Sequence, residues 1–221
     1  MGKFMRTLLS VLIPLFLGLR VLATAQYPDK IIYNGKEYYL HSNPLEAFFK
    51  TNPDKRPKGG IRSTALWRGY VATYEIRNNQ LFVKDIEIEC LDTSSKESFN
   101  YKWKSVFNEV FPNQKEIKVD WLTGLLVMPY GKLLNYVHMG YGSTYKNYIL
   151  LEIDKGYLKN ERQFKHKEYE KFKERQFQAF KQTDEYKNIR AELQEDGRPD
   201  EFIDSFLRNY VIEYTSRILT E

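Results

Sequence analysis

The chain holds a single cysteine, Cys90, among 221 residues. It has no partner within the chain, so no disulfide framework braces the fold and stability has to come from packing. Histidine is almost as scarce. His41, His138 and His166 stand far apart with no ligand-like spacing, and no metal site is expected. Several catalytic signatures are missing altogether. There is no G-x-S-x-G elbow, no H-E-x-x-H pair and no G-x-G-x-x-G turn. The Gly131-Lys132 pair of "YGKLL" lacks the upstream glycine and the following Ser or Thr of a phosphate loop, so no cofactor is expected.

Long hydrophobic runs are confined to one place. "TLLSVLIPLFLGL" at 7–19 falls short of the roughly 20 residues that span a bilayer. Lys3 and Arg6 precede it and "ATA" at 23–25 follows, the pattern of a signal peptide over 1–25 with cleavage between Ala25 and Gln26. A retained anchor is the competing reading, because Arg20 sits inside the cleavage region. The expectation is an exported protein, periplasmic or secreted, with no retained membrane span. No cysteine lies near the cleavage site to carry a lipid.

Excess charge of one sign is also lacking. The chain has 34 Lys and Arg against 29 Asp and Glu; Lys3, Arg6 and Arg20 lie in the first 25 residues, leaving 31 against 29. Cations and anions are interspersed, so the concentrated positive footprint of a nucleic-acid binder is absent.

What is abundant is aromatic, with 17 Tyr and 14 Phe. Asn34-Gly35 and Asn78-Asn79 each separate two strand-like runs and predict hairpins. "NPLEAFFK" predicts a short helix capped by Asn43 with Pro44 in its first turn and Glu46 completing a capping box. A strand is expected over 65–76, its partner over 81–90, and a helix carrying Trp103, Val106, Phe107, Val110 and Phe111. Strands are expected at 116–121, 125–129, 132–139, 148–153 and near 157–158. From Phe164 onward the spacing turns helical, with Tyr169, Phe172, Ala179 and Phe180 on one face and Phe202, Ile203, Phe206 and Leu207 on another. The fold class is α+β: a mostly antiparallel β-sheet body over 26–161 with one packed helix, covered by a C-terminal helical segment over 162–221.

The densest cluster of chemistry is "PYGKLLNYVHMGYGSTYKNY" at 129–148. A nucleophilic reading takes Ser143 with His138 as base and glycine N–H groups as an oxyanion hole. A binding reading takes Tyr130, Tyr136, Tyr141 and Tyr145, with His138 and Ser143, as a platform for a peptide or sugar. The bland reading is a tight turn with half-buried tyrosines. Asp85, Glu87 and Glu89 alternate along one strand face and read as a solvated edge, with a cation site or a glycosidase-type pair as rivals.

Arg68 lies in "STALWRGYVATYEI" at 63–76, among aromatics, and is the remaining ligand-binding candidate. Pairing about Asn78-Asn79 places it opposite Glu89, a cross-strand contact worth roughly 0.2–1 kcal/mol. A bulge at Gly69 would upset that pairing. This stretch, with "DWLTGLLVMPYGKLLNYVHMGYGSTY", resembles an uncharacterised bacterial protein family carrying a Trp-Arg-Gly-Tyr strand and a His-Met-Gly-Tyr segment. The resemblance covers about residues 30–155 and implies a unified β body, with no activity attached. The functional expectation is an exported, non-enzymatic binding or interaction protein of the cell envelope, its partner a protein, peptide or glycan. The alternatives are a hydrolase of an envelope polymer and a structural envelope component.

Overall fold

The computed structural model describes residues 24–92 and 100–220, so all of the expected signal segment but Thr24 and Ala25 lies outside the described residues. Three two-residue turns organise the sheet. β1 (Asp29–Tyr33) turns into β2 (Lys36–Leu40) at Asn34-Gly35, where φ angles of 50° and 72° are the left-handed pair a type I′ turn requires. β3 (Val71–Arg77) turns into β4 (Gln80–Leu91) through Asn78-Asn79, at 51° and 59°. Beyond β5 (Tyr101–Ser105), β6 (Ile117–Lys118) and β7 (Gly124–Asn135), β8 (Thr144–Asp154) turns into β9 (Tyr157–Lys165) at Lys155-Gly156. Gly156 admits no side chain: a Cβ there would sit 2.2 Å from the Val119 carbonyl oxygen.

The strand order is β2-β1-β3-β4-β9-β8-β7, with β5 and β6 also on β4. Among the described residues, every pairing of these strands is antiparallel except β1 with β3, which run parallel. The two ends of the path meet. His41, one residue past β2, donates its backbone N–H to the Val127 carbonyl of β7 at 2.9 Å, and Val127 donates in turn to Ser42 Oγ at 3.3 Å. The sheet therefore curls towards a barrel, which protects the edges it would otherwise expose.

Two cores result. Inside the curl, Ile31, Leu40, Tyr74, Val83, Met128 and Leu151 are buried together. Helices α1 (Pro44–Thr51) and α2 (Phe107–Val110) close it with Leu45, Phe49, Phe107 and Val110. On the outer side of β7 and β8, Leu125, Val127, Tyr148 and Leu150 meet the C-terminal helices, chiefly Phe172, Phe177 and Phe180 of α3 (His166–Phe180). Strands buried on both faces have no polar side to display, which is why "LLVM" and "YILL" read as unbroken apolar runs. α4 (Asp184–Glu195), α5 (Asp200–Asn209) and α6 (Val211–Tyr214) complete that layer with Tyr186, Ile203, Leu207 and Val211. Each of these side chains contributes about 1.5–3 kcal/mol by leaving water. The architecture is α+β.

Local expectations changed in several places. β3 starts at Val71, not at residue 65, because Leu66 and Gly69 donate their N–H groups to turn carbonyls at Ser63 and Leu66, and Gly69 sits at a φ of 78°. The register of opposed residues summing to 157 holds from Arg77 to Tyr74, then slips by one at a bulge between Thr73 and Tyr74. The helix expected to carry Trp103 begins only at Phe107; Tyr101, Trp103 and Ser105 alternate in β5 instead. Asn43 does not cap α1 with its side chain, which serves Tyr141. The segments expected at 125–129 and 132–139 are one strand through Asn135, irregular between Tyr130 and Leu133 where Gly131 takes a φ of 81°.

Candidate ligand-binding cleft

The outer face of β2-β1-β3-β4-β5 carries a row of side chains fixed by strand register. Lys30 lies beside both Tyr39 and Thr73, Val71 beside Glu87, and Trp103 beside Glu89. Residues paired across strands, and those two apart along one, point to the same side. Tyr39, Lys30, Val71, Glu87 and Trp103 thus share a face, while the alternate residues Ile31, Ala72 and Ile86 go into the core.

Two walls turn this face into a cleft of about 530 Å³. One is the segment at 25–28, where Gln26 donates its backbone N–H to the Gly140 carbonyl at 3.1 Å and its side-chain amide to the Thr64 carbonyl at 2.6 Å. The other is the tip of the β7–β8 arm, contributing Tyr136, Tyr141, Ser143 and Tyr145. The rings at the rim stay open to solvent: Tyr39 is 56% exposed, Tyr136 51% and Trp103 40%. Tyr27 meets Trp103 edge-on, with centroids 6.0 Å apart.

Arg68 is the internal tie behind this cleft. It is 1% exposed and pairs with Asp29, not Glu89, at 3.2 Å. The same guanidinium donates to the Tyr27 carbonyl at 2.9 Å and to the Tyr141 hydroxyl oxygen at 3.1 Å. Tyr141 donates its own hydroxyl proton to Asn43 Oδ1 at 2.9 Å. One buried cation therefore positions both walls. Asp29 Oδ1 also accepts the Ala72 N–H at 2.9 Å, while Asp29 Oδ2 and Arg68 Nε have no partner among the described residues. Burial pushes the Asp29 carboxyl up to about 6, against the pull of Arg68 and the Ala72 N–H. Burial likewise pushes Tyr141 up to about 12, so its ring presents a neutral phenol at pH 7.

His41 stacks on Tyr141 with centroids 4.6 Å apart and 14° between planes, and meets Tyr145 edge-on at 5.7 Å. Burial pushes its imidazole down to about 4, so it lines the cleft uncharged.

Of the residues singled out in sequence, Tyr136, Tyr141, Ser143 and Tyr145 converge on the cleft together with Ala25 and Gln26. Two do not line it. Tyr130 packs edge-on against Tyr38 at 6.0 Å, and His138 is exposed against the Tyr136 ring at 4.6 Å. His138 and Ser143 do not form a nucleophile–base pair. The serine hydroxyl instead accepts from the Val137 N–H at 3.0 Å and donates to the Val137 carbonyl at 3.4 Å, clasping its own loop. Asp85 is occupied by Ser105 and the Ile86 N–H, so Glu87 is the one member of the Asp85, Glu87, Glu89 row that lines the cleft.

The sequence reading missed Lys30, Tyr39, His41, Val71 and Trp103. Alternation in "KEYYL" puts Tyr39 on the face of Glu37, and in "YKWKS" it puts Trp103 with Tyr101 and Ser105, opposite the lysines; that was the available signal. Among known proteins, no family model, no curated protein and no solved structure matches this chain.

Proposed function

We propose that this is an exported, non-enzymatic binding protein of the cell envelope whose ligand occupies the cleft between the outer sheet face and the β7–β8 arm. The observation that carries the reading is the convergence of exposed rings from four separate segments, Tyr27, Tyr39, Trp103 and Tyr136, on one concave surface. A cavity of 530 Å³ falls within the roughly 300–1,000 Å³ typical of ligand sites, and open aromatic walls with few polar groups are their usual lining. Export rests on the basic, apolar and small-residue pattern of 1–25.

The hydrolase alternative has less support. Its nucleophile needs a base within hydrogen-bond reach, and Ser143 is engaged with Val137 instead of His138. A two-carboxylate mechanism needs a second acid, and Glu87 is the single carboxylate lining the cleft among the described residues. The test is a binding screen of the full chain against short peptides and chito-oligosaccharides, repeated with Trp103→Ala and Tyr136→Ala. A ligand that binds the parent chain and not the variants, with thermal unfolding unchanged, supports the proposal. A ligand bound equally by all three rejects the cleft as its site.

A further inference from the structure

Among the described residues, the charged side chains that line the cleft are one cation and one anion, Lys30 and Glu87. Neither side chain has a hydrogen bond or an ion pair with another described residue. Both are half-buried. Several other charges have partners: Arg56 with Glu46, Lys84 with Glu116, Lys102 with Asp92. Two opposite charges left unpaired in a walled cleft are free to meet a ligand that carries both signs.

Register sets how far apart they stand. Lys30 is level with Thr73, and Glu87 with Val71. The two backbones are therefore two strand spacings apart across the sheet and two residues apart along it, about 12 Å in all. Val71 forms the floor between them. The ends also differ chemically. Trp103 stands diagonally across from Glu87 with Tyr27 against it, and a carboxylate with aromatic faces is a receptor for an ammonium group. Beside Lys30 stands Tyr39, and the lysine is in no ion pair with another described residue.

We infer that the cleft takes a short peptide with free termini, its ammonium group held by Glu87 and the Trp103 and Tyr27 rings and its carboxylate held by Lys30. The inference rests on the binding reading given above and narrows it to a ligand class. An extended peptide advances about 3.3–3.6 Å per residue, so three residues cover about 10 Å, close to the separation of two side chains that stand off the same sheet face. A neutral sugar stacks on the same rings but leaves both charges without a counterpart.

Calorimetric titration of the full chain separates the outcomes. The probes are the tripeptide Ala-Phe-Ala, its N-acetylated form, its C-amidated form, and chitotetraose. Ala-Phe-Ala is expected to bind, and each blocked form at least tenfold more weakly. Glu87→Gln is expected to abolish the difference between the free and N-acetylated peptides, and Lys30→Met the difference between the free and amidated ones. Neither side chain supports the fold, so unchanged melting curves accompany these shifts. Equal affinity for free and blocked peptides overturns the inference. Chitotetraose binding that Trp103→Ala removes, with no peptide bound, overturns the ligand class and leaves the cleft reading standing. Binding of no probe overturns the inference and weighs against the cleft reading too.

Discussion

Replacing Arg68 with methionine tests the proposed tie behind the cleft. The wild-type guanidinium is buried, pairs with Asp29 at 3.2 Å, and holds the Tyr27 carbonyl and the Tyr141 hydroxyl. In Arg68→Met the Asp29 carboxylate stays buried with the Ala72 N–H as its one remaining donor. Breaking a buried pair by removing one partner costs about 3–5 kcal/mol. In Asp29→Asn/Arg68→Met no charge is left behind, and the residual loss is two hydrogen bonds, about 1–2 kcal/mol. The double variant should therefore be about 2–3 kcal/mol more stable than Arg68→Met alone, and Asp29→Asn completes the cycle. The pH dependence has a definite sign. Asp29 titrates at about 6 in the folded chain against 3.8 ordinarily, so stability from its neutral form is fully present below 3.8 and lost as pH rises through 6. Without Arg68 the folded value moves higher still, and the deficit of Arg68→Met should be largest at pH 7 and shrink towards pH 4. Urea denaturation of the four chains at pH 7 and pH 4.5 measures this. Equal stability of wild type and Arg68→Met at pH 7 would show that the pair is not what orders this region.

Other perturbations have equally definite outcomes. His41 has a folded value of about 4 against 6.5, so its stabilising contribution is full above 6.5 and lost as pH falls towards 4; His41→Phe should flatten that fall by up to about 3 kcal/mol, read from urea midpoints across the range. Over pH 4–6 Asp29 acts in the opposite sense, so the wild-type profile there is shallower than either group alone implies. Phe177→Ala, in the fully buried second core, should cost about 3–5 kcal/mol in a thermal or chemical melt. Trp103→Ala, at an open rim, should stay within about 0.5–1 kcal/mol in the same assay while lowering ligand affinity. His138→Ala should leave peptide affinity unchanged within about twofold, since the ring does not line the cleft; a larger loss would place His138 in the site after all.

The hairpins were legible because Asn34-Gly35 and Asn78-Asn79 state their turn chemistry locally, and β7 and β8 were legible as apolar runs. Arg68 was not legible for a specific reason. Its partner Asp29 is 39 residues away in β1, brought near by a parallel β1–β3 pairing that leaves no turn signal in the sequence. The antiparallel register that proposed Glu89 was right near the turn and failed at the bulge between Thr73 and Tyr74. The cleft was half visible. Tyr136, Tyr141, Ser143 and Tyr145 are close in sequence and announced themselves, whereas Tyr39, Lys30, Glu87 and Trp103 come from four strands and meet only through their registers. A helical reading of Trp103 hid the last of these, since short apolar runs satisfy both periods until an edge strand is available to pair with.

The most direct test of the cleft as the binding site is a two-dimensional amide correlation spectrum of the full chain during titration with Ala-Phe-Ala. Saturable shifts are expected only at Lys30, Val71, Glu87, Gly140 and the Trp103 indole, with the outer core about Phe177 unmoved. Shifts centred on the C-terminal helices, or none with either the tripeptide or chitotetraose, would contradict that site.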